Sequence, residues 1–123
     1  MSTNFKRGQV WRALVPYNDE PVKGKERPVI VVGWSQMGQD QDNVVLVIPV
    51  TTFGDGGRPA EGDVEILDQQ RGGLNKSPSW ARARRVWGAD PRCFDRRRGC
   101  TGTVTPEVMA AILVQIEKMF AVY

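Results

Sequence analysis

The sequence predicts a small, mainly β domain, either a barrel or a half-open sheet, that ends in one α-helix. Five short runs of strand-forming residues are separated by turn-forming residues, and the last apolar stripe has helical spacing. The 123 residues, 41% hydrophobic and 25% charged, match an ordinary globular protein with one core. We therefore expect residues 1–123 to form a single domain.

Alternating or β-branched residues mark the five predicted strands, at 9–15, 29–32, 44–48, 63–67 and 80–87. The second and third strands are continuous apolar runs, so we expect them to pair and to be buried on both faces. The fourth alternates and should lie at an edge. The connection at 16–26 is rich in turn formers and charge, which predicts a long exposed loop.

The final element is a predicted helix with its own start signal. Thr105 offers a capping hydroxyl, Pro106 suits the first helical position, and Glu107 lies near the positive end of the helix dipole. Apolar residues then recur at helical spacing, and we expect this stripe to pack into the core: Val108, Met109, Ile112, Leu113, Ile116 and Phe120.

Two features of the composition exclude several kinds of chemistry. The chain has no histidine, so an imidazole base, a Ser-His-Asp relay and a histidine zinc site are impossible. Cys93 and Cys100 are separated by six residues, a spacing that fits neither a redox pair nor a zinc pattern. We expect reduced, non-catalytic thiols, no metal site built from histidine or cysteine, and no cofactor.

The sequence carries no recognisable membrane or secretory segment. The longest apolar run, at 44–50, is far shorter than the roughly 18 residues of a spanning helix, and residues 1–7 lack an apolar signal core. We therefore expect a cytoplasmic protein that does not bind membranes.

Charge is distributed unevenly along the chain. Residues 1–70 contain seven Lys and Arg against ten Asp and Glu, a net charge of −3, whereas residues 71–98 contain nine against two, a net charge of +7. Trp80 and Trp87 lie within the basic segment, as a site that neutralises phosphates and stacks bases would require. The alternative is a solvated arginine-rich face, with the tryptophans in the core or a dimer interface.

Five motifs in order resemble the MazF/PemK toxin family over about residues 6–120. They are Lys6-Arg7-Gly8-Gln9-Val10-Trp11, Glu26-Arg27-Pro28-Val29-Ile30-Val31-Val32, Ile48-Pro49-Val50-Thr51-Thr52, Gly72-Gly73-Leu74-Asn75-Lys76-Ser77 and Thr105-Pro106-Glu107. The resemblance implies an SH3-like β-barrel with a C-terminal helix. It also implies a homodimeric, metal-independent endoribonuclease that cleaves single-stranded RNA at specific sequences and is inhibited by a cognate antitoxin.

The resemblance places the family's catalytic arginine and threonine at Arg27 and Thr51. RNA supplies the 2′-hydroxyl as nucleophile, so the enzyme has only to orient it and stabilise the phosphorane. A guanidinium suits phosphoryl oxygens and a threonine hydroxyl can bind the same phosphate, whereas the general base stays open because arginine remains protonated. The alternatives are a surface arginine beside a strand and a threonine that caps backbone groups.

Further RNA contacts are expected from basic and polar residues around this pair. The loop before Arg27 and the fifth strand both depart from the family pattern, because each carries additional positive charge. The candidates are Lys23, Lys25, Thr52, Arg82, Arg84 and Arg85. The run Arg96-Arg97-Arg98 is expected in a loop, where it either solvates the loop or contacts RNA.

Two functions other than RNA cleavage stay open for a chain of this pattern. A gyrase-binding toxin like CcdB would end its helix with Trp-Gly-Ile, whereas this chain ends Ala121-Val122-Tyr123. A catalytically silent RNA-binding barrel is the other possibility.

We expect an antitoxin with an acidic tail, which would cover the basic face. We also expect a homodimer, because four tryptophans and the apolar end of the chain exceed what one small domain can bury.

Overall fold

The computed structural model describes residues 5–16, 24–35, 44–52, 58–67, 73–74 and 78–120. Within these ranges the chain forms seven strands, two 3₁₀ turns at Ala83–Arg85 and Pro91–Cys93, and one α-helix. The elements are β1 Gln9–Pro16, β2 Gly24–Ser35, β3 Val44–Thr51, β4 Asp63–Ile66, β5 Ser79–Arg82, β6 Trp87–Ala89, β7 Gly102–Thr103 and α1 Pro106–Lys118. The prediction of a mainly β fold with one C-terminal helix is confirmed.

The strands form one antiparallel sheet in the order β4-β5-β3-β2-β1-β7. β1 and β2 pair from Val10 opposite Ile30 to Pro16 opposite Gly24, and β2 continues to β3 with Ile30 opposite Ile48. β3 pairs with β5 near its end and with β6 near its beginning, so one edge of β3 holds two short strands. The sheet curls as a half-barrel.

The curled sheet is packed on both faces because alternate residues of its central strands point to opposite sides. One face lies against α1 and forms a core that includes Val10, Ile30, Ile48, Val50, Ile66, Val108, Met109 and Ile112. The other face forms a second core that includes Phe5, Trp11, Val29, Val31, Val45, Val47 and Phe94. The ring centroids of Phe5 and Trp11 are 4.9 Å apart, and those of Phe5 and Phe94 4.7 Å.

The first four predicted strands are present, with longer β2 and β3 than expected. The pairing of β2 with β3 and the edge position of β4 are confirmed. The expected loop at 16–26 is wrong for residue 16, which belongs to β1, and for residues 24–26, which belong to β2; residues 17–23 lie outside the described ranges. Burial of the third strand on both faces is confirmed at Val47 and Ile48, which belong to opposite cores, but it is wrong at the start of the strand, where Val44 and Leu46 are exposed beside the small Gly88.

The single strand predicted at 80–87 is wrong. β5 ends at Arg82, a 3₁₀ turn occupies Ala83–Arg85, and β6 begins at Trp87. The pairs Val50–Ala81 and Val47–Trp87 are six residues apart on the β5–β6 segment but only three residues apart on β3. The turn takes up the three additional residues, so both strands can pair with the same edge of β3.

The helix begins as predicted. The Thr105 hydroxyl accepts a hydrogen bond from the Val108 backbone N–H at 3.2 Å, and Pro106 is the first helical residue. Leu113 and Ile116 are half-buried against the core, but Phe120 is 72% exposed. Its predicted core position is wrong because the helix ends at Lys118. None of the helices in the described ranges is long and apolar enough to cross a membrane.

Candidate active site

A cleft of about 400 Å³ opens where β3 ends, beside the β1–β2 hairpin. Arg27 on β2 and Thr51 on β3 both line it, together with Thr52. The last register pair between these strands is Val29 opposite Pro49, and Arg27 and Thr51 each lie two residues beyond that pair, at the same end of the two strands. The structure therefore unites the two residues that sequence reasoning put forward as catalytic.

The environment of the pair is partly shielded from solvent. Arg27 and Thr51 are half-buried, whereas Thr52 is exposed. On its other side, Arg27 lies opposite Ala13 of β1. The Thr51 hydroxyl donates a long hydrogen bond of 3.4 Å to the carbonyl oxygen of Thr52. A bond this long is weak, so a ligand oxygen can compete for the hydroxyl.

Sequence reasoning missed Arg12 and Glu26, which line the same cleft. The Arg12 Nε lies 3.3 Å from the Glu26 Oε1, and its Nη2 donates to the Glu26 carbonyl oxygen at 3.4 Å. The two are neighbours because β1 pairs with β2, with Arg12 opposite Pro28 and Leu14 opposite Glu26. Extending the second predicted strand back to residue 24 would have identified this contact.

Arg98 and Thr101 reach the cleft from the segment before β7. Thr101 is attached to β1, since its backbone N–H donates to the Val10 carbonyl oxygen at 2.8 Å. Gly73 also lines the cleft, with a positive φ of 70°, and a Cβ there would lie 2.2 Å from the Thr101 carbonyl oxygen. Only glycine allows this close approach. No sequence pattern linked residue 98 to Arg27.

The cleft is positively charged. Its described lining contains three arginines and one carboxylate, Glu26, so its formal net charge is +2. Arginine guanidinium groups bind phosphate and carboxylate oxygens through paired, charge-assisted hydrogen bonds. Among the described residues, no group of three or more Cys, Asp and Glu side chains could hold a metal ion. The cleft is therefore suited to an anionic ligand.

The basic residues predicted to bind RNA either lie outside the cleft or fall outside the part of the chain that the structure describes. Arg82 pairs with Asp63 at 3.4 Å and Arg84 with Glu61 at 3.5 Å, while Arg85 is exposed. These three arginines do not line the cleft. Lys23 lies outside the described ranges, and so does the side chain of Lys25.

The cysteines and tryptophans occupy different environments. Cys93 is half-buried and Cys100 exposed, and both are free thiols, as expected. Trp11 is buried in the second core, whereas Trp80 and Trp87 are half-buried.

A carboxylate with a lowered pKa, that of Asp90, lies outside the cleft. The Arg92 guanidinium donates to the Asp90 carboxylate at 2.7 Å and, with the Arg92 backbone N–H, lowers the pKa of Asp90 to about 2. The Asp90 side chain also caps the 3₁₀ turn at Pro91–Cys93, because it accepts a hydrogen bond from the Arg92 backbone N–H. This pair fixes a turn on the path from β6 to Arg98.

The fold and the cleft together define a class of protein: a small β half-barrel with one helix and a basic cleft containing arginine and threonine. The chain belongs to the PemK-like, MazF-like toxins of type II toxin-antitoxin systems, because the model of that family matches residues 6–120. The family resemblance seen in the motifs is thereby confirmed. None of the curated protein sequences compared with the chain matches it.

A solved structure shows the same fold. It is described as an endoribonuclease in complex with its cognate antitoxin from mycobacterial species, and it is similar to this chain with a TM-score of 0.60. The two chains are 18% identical, and the match covers 95% of each. At this identity the likeness concerns the fold, and it supports the β-barrel class with a C-terminal helix.

Proposed function

We propose that this protein is a metal-independent endoribonuclease that cleaves single-stranded RNA at specific sequences, as the toxin of a toxin-antitoxin pair in the cytoplasm. The observation that carries the proposal is that Arg27 and Thr51 line the same cleft, whose described lining has a net charge of +2. Membership of the toxin family and the fold shared with an endoribonuclease support it.

The reaction needs little beyond what this cleft supplies. The RNA 2′-oxygen attacks the adjacent phosphorus, the bond from phosphorus to the 5′-oxygen breaks, and a 2′,3′-cyclic phosphate and a 5′-hydroxyl result. Arg27 would stabilise the additional negative charge of the phosphorane through its paired N–H donors. Thr51 would hold a phosphoryl oxygen and so align the attack. The 2′-hydroxyl loses a proton and the departing 5′-oxygen gains one; the groups that accept and donate these protons stay unassigned.

The proposal is tested by replacing the two residues separately. Arg27→Ala and Thr51→Ala should each lower the cleavage rate by about 10²- to 10³-fold, the usual effect of removing a donor to a transition-state oxyanion. Arg58→Ala and Thr103→Ala are matched controls, because both residues are exposed and outside the cleft. Melting temperatures of all four variants would separate loss of catalysis from loss of folding.

The substrate and products give a second line of evidence. Cleavage should persist in a chelator, should yield the cyclic phosphate or its 3′-phosphate hydrolysis product, and should stop when the nucleotide 5′ to the cut carries deoxyribose. Mapping the 5′ ends of the fragments would define the recognised sequence. Full cleavage by either Arg27→Ala or Thr51→Ala would overturn the assignment. Binding of RNA without cleavage by the wild type would indicate a silent RNA-binding barrel.

Residues around the cleft are proposed to bind the rest of the RNA. Thr52 lines the cleft itself, whereas the basic side chains would contact phosphates on either side of it. These basic residues are Lys23, Lys25, Arg82, Arg84 and Arg85. Replacing Arg85, which is exposed, should weaken RNA binding without affecting stability.

Two protein partners belong to the proposal. By analogy with the similar structure, which holds a cognate antitoxin, we propose an antitoxin whose acidic tail covers the basic face. We also propose a homodimer, since Leu46 and Phe120 are exposed and apolar. Light scattering at micromolar concentration should give roughly twice 13.7 kDa, and a mass near 13.7 kDa would refute the dimer.

A further inference from the structure

We infer that Arg98 binds a phosphate of the RNA next to the one that is cleaved, an inference that rests on the proposed function. Arg98 is the third of three consecutive arginines, and it lines the cleft that also contains Arg27 and Thr51. Arg96 and Arg97 do not line the cleft, and the Arg96 Nη2 donates to the Pro91 carbonyl oxygen at 3.4 Å. Of the three consecutive arginines, Arg98 alone therefore lines the cleft.

The loop that carries Arg98 is held against β1 at both ends. Before it, Phe94 is buried against Phe5 and Trp11 and forms a β-bridge with Ala13. After it, the Thr101 backbone N–H donates to the Val10 carbonyl oxygen at 2.8 Å. Because β1 pairs with β2, these anchors fix the loop relative to Arg27.

The Asp95 side chain stabilises the turn of this loop through hydrogen bonds to its backbone. Its Oδ1 accepts hydrogen bonds from the backbone N–H groups of Arg97 and Arg98, at 3.0 and 3.3 Å. Its own backbone N–H donates to the Arg12 carbonyl oxygen at 2.8 Å, and Arg12 also lines the cleft. These hydrogen bonds cap the turn and tie it to the cleft wall, which restrains the backbone at residue 98.

The Arg98 guanidinium keeps the capacity to bind a ligand. Its Nε lies 3.7 Å from the Asp95 Oδ2, beyond hydrogen-bonding distance, and its side chain is 60% exposed. Asp95 therefore orients the guanidinium by charge without occupying its donors. An RNA phosphate matches these donors in charge and geometry. Because the loop is already anchored, less conformational entropy is lost when the phosphate binds.

The position of Arg98 predicts which kinetic step it affects. Arg27 and Thr51 are assigned to the scissile phosphate, so Arg98 would hold a neighbouring phosphate that carries the same charge before and during the reaction. Contacts that are equally strong in the ground state and the transition state change KM and leave kcat unaltered. Backbone phosphate contacts also carry no sequence information, so the recognised sequence should not change.

The test compares Arg98→Ala with Arg97→Ala, which removes the same charge from the adjacent, exposed position outside the cleft. The probe is a single strand of about twelve nucleotides spanning the mapped cut, with 2′-O-methyl groups throughout, so that it binds without being cleaved. Arg98→Ala should weaken its binding about tenfold, and Arg97→Ala less than about twofold. Arg98→Ala should also lower the slope of log K against log salt by about 0.7.

The conservative variant Arg98→Lys keeps the charge but not the paired donors. It should retain the salt slope and lose part of the affinity. Equal weakening by Arg98→Ala and Arg97→Ala, or a fall in kcat with unchanged binding by Arg98→Ala, would overturn the inference while leaving the endoribonuclease intact. A wild-type protein that neither binds the strand nor cleaves RNA would overturn the proposed function and the inference together.

Discussion

Arg82→Ala is expected to destabilise the fold, because Arg82 neutralises a carboxylate that water barely reaches. Asp63 and Arg82 lie opposite each other on β4 and β5, with 3.4 Å between Oδ1 and Nε. The side chain of Asp63 is 3% exposed and that of Arg82 29%. Without the guanidinium, Asp63 keeps the Ala60 backbone N–H at 2.8 Å but loses its cation.

The expected cost follows from this burial. Leaving a buried hydrogen-bonding group without its partner costs about 1–3 kcal/mol, and more for a charged group without access to water. Because Arg82 is partly exposed, its removal lets water approach Asp63, which favours the lower half of this range. We expect a loss of about 1.5 kcal/mol, which for a domain of this size lowers the melting temperature by about 6 °C.

Thermal unfolding followed by circular dichroism measures the effect, with Arg85→Ala as the control because Arg85 is exposed. Combining Arg82→Ala with Asp63→Ala completes a double-mutant cycle. The double variant should be less destabilised than the sum of the single variants, by about 1 kcal/mol, since the buried charge disappears with its partner. An Arg82→Ala variant that melts within about 1 °C of the wild type, or an additive cycle, would refute the reasoning.

Two further predictions concern the core and the response to acid. Ile112 is fully buried, so Ile112→Ala should cost about 2–5 kcal/mol, whereas Val114→Ala on the exposed side of α1 should cost little; equal melting temperatures would contradict this. Arg92 lowers the pKa of Asp90 from 3.8 to about 2, so the pair stabilises the fold above pH 4 and ceases to do so as the pH falls through 2. The melting-temperature difference between the wild type and Asp90→Asn should vanish over that interval, and a constant difference would disprove the link.

Much of the fold could be predicted because local residue patterns determine it. The β-branched runs mark β2 and β3, and Thr105 and Pro106 fix the start of α1. The break after Arg82 could not be predicted, since Arg84 and Arg85 are no less compatible with a strand than with a turn. What interrupts the strand is the pairing of β5 and β6 with different parts of β3, a tertiary constraint.

The proximity of Arg27 and Thr51 could also be predicted from the sequence, whereas the contribution of Arg98 to the cleft could not. Arg27 and Thr51 lie on neighbouring strands, so the order of motifs was enough to place them together. Arg98 is 71 positions from Arg27 along the sequence and reaches the cleft only because Phe94 and Thr101 attach its loop to β1. Contacts of this kind depend on the assembled core and leave no periodic signal in the chain.

The basic segment at 71–98 serves the fold as well as any ligand. Within the described part of this segment, ion pairs with carboxylates include Arg82 with Asp63, Arg84 with Glu61, Arg92 with Asp90 and Arg98 with Asp95. Two of these partners, Glu61 and Asp63, come from the acidic part of the chain. The charge contrast between the two parts therefore helps to join the β4 region to β5 and its turn. At the cleft, by contrast, the described lining contains three guanidinium groups and one carboxylate, so positive charge is left there for an anionic ligand.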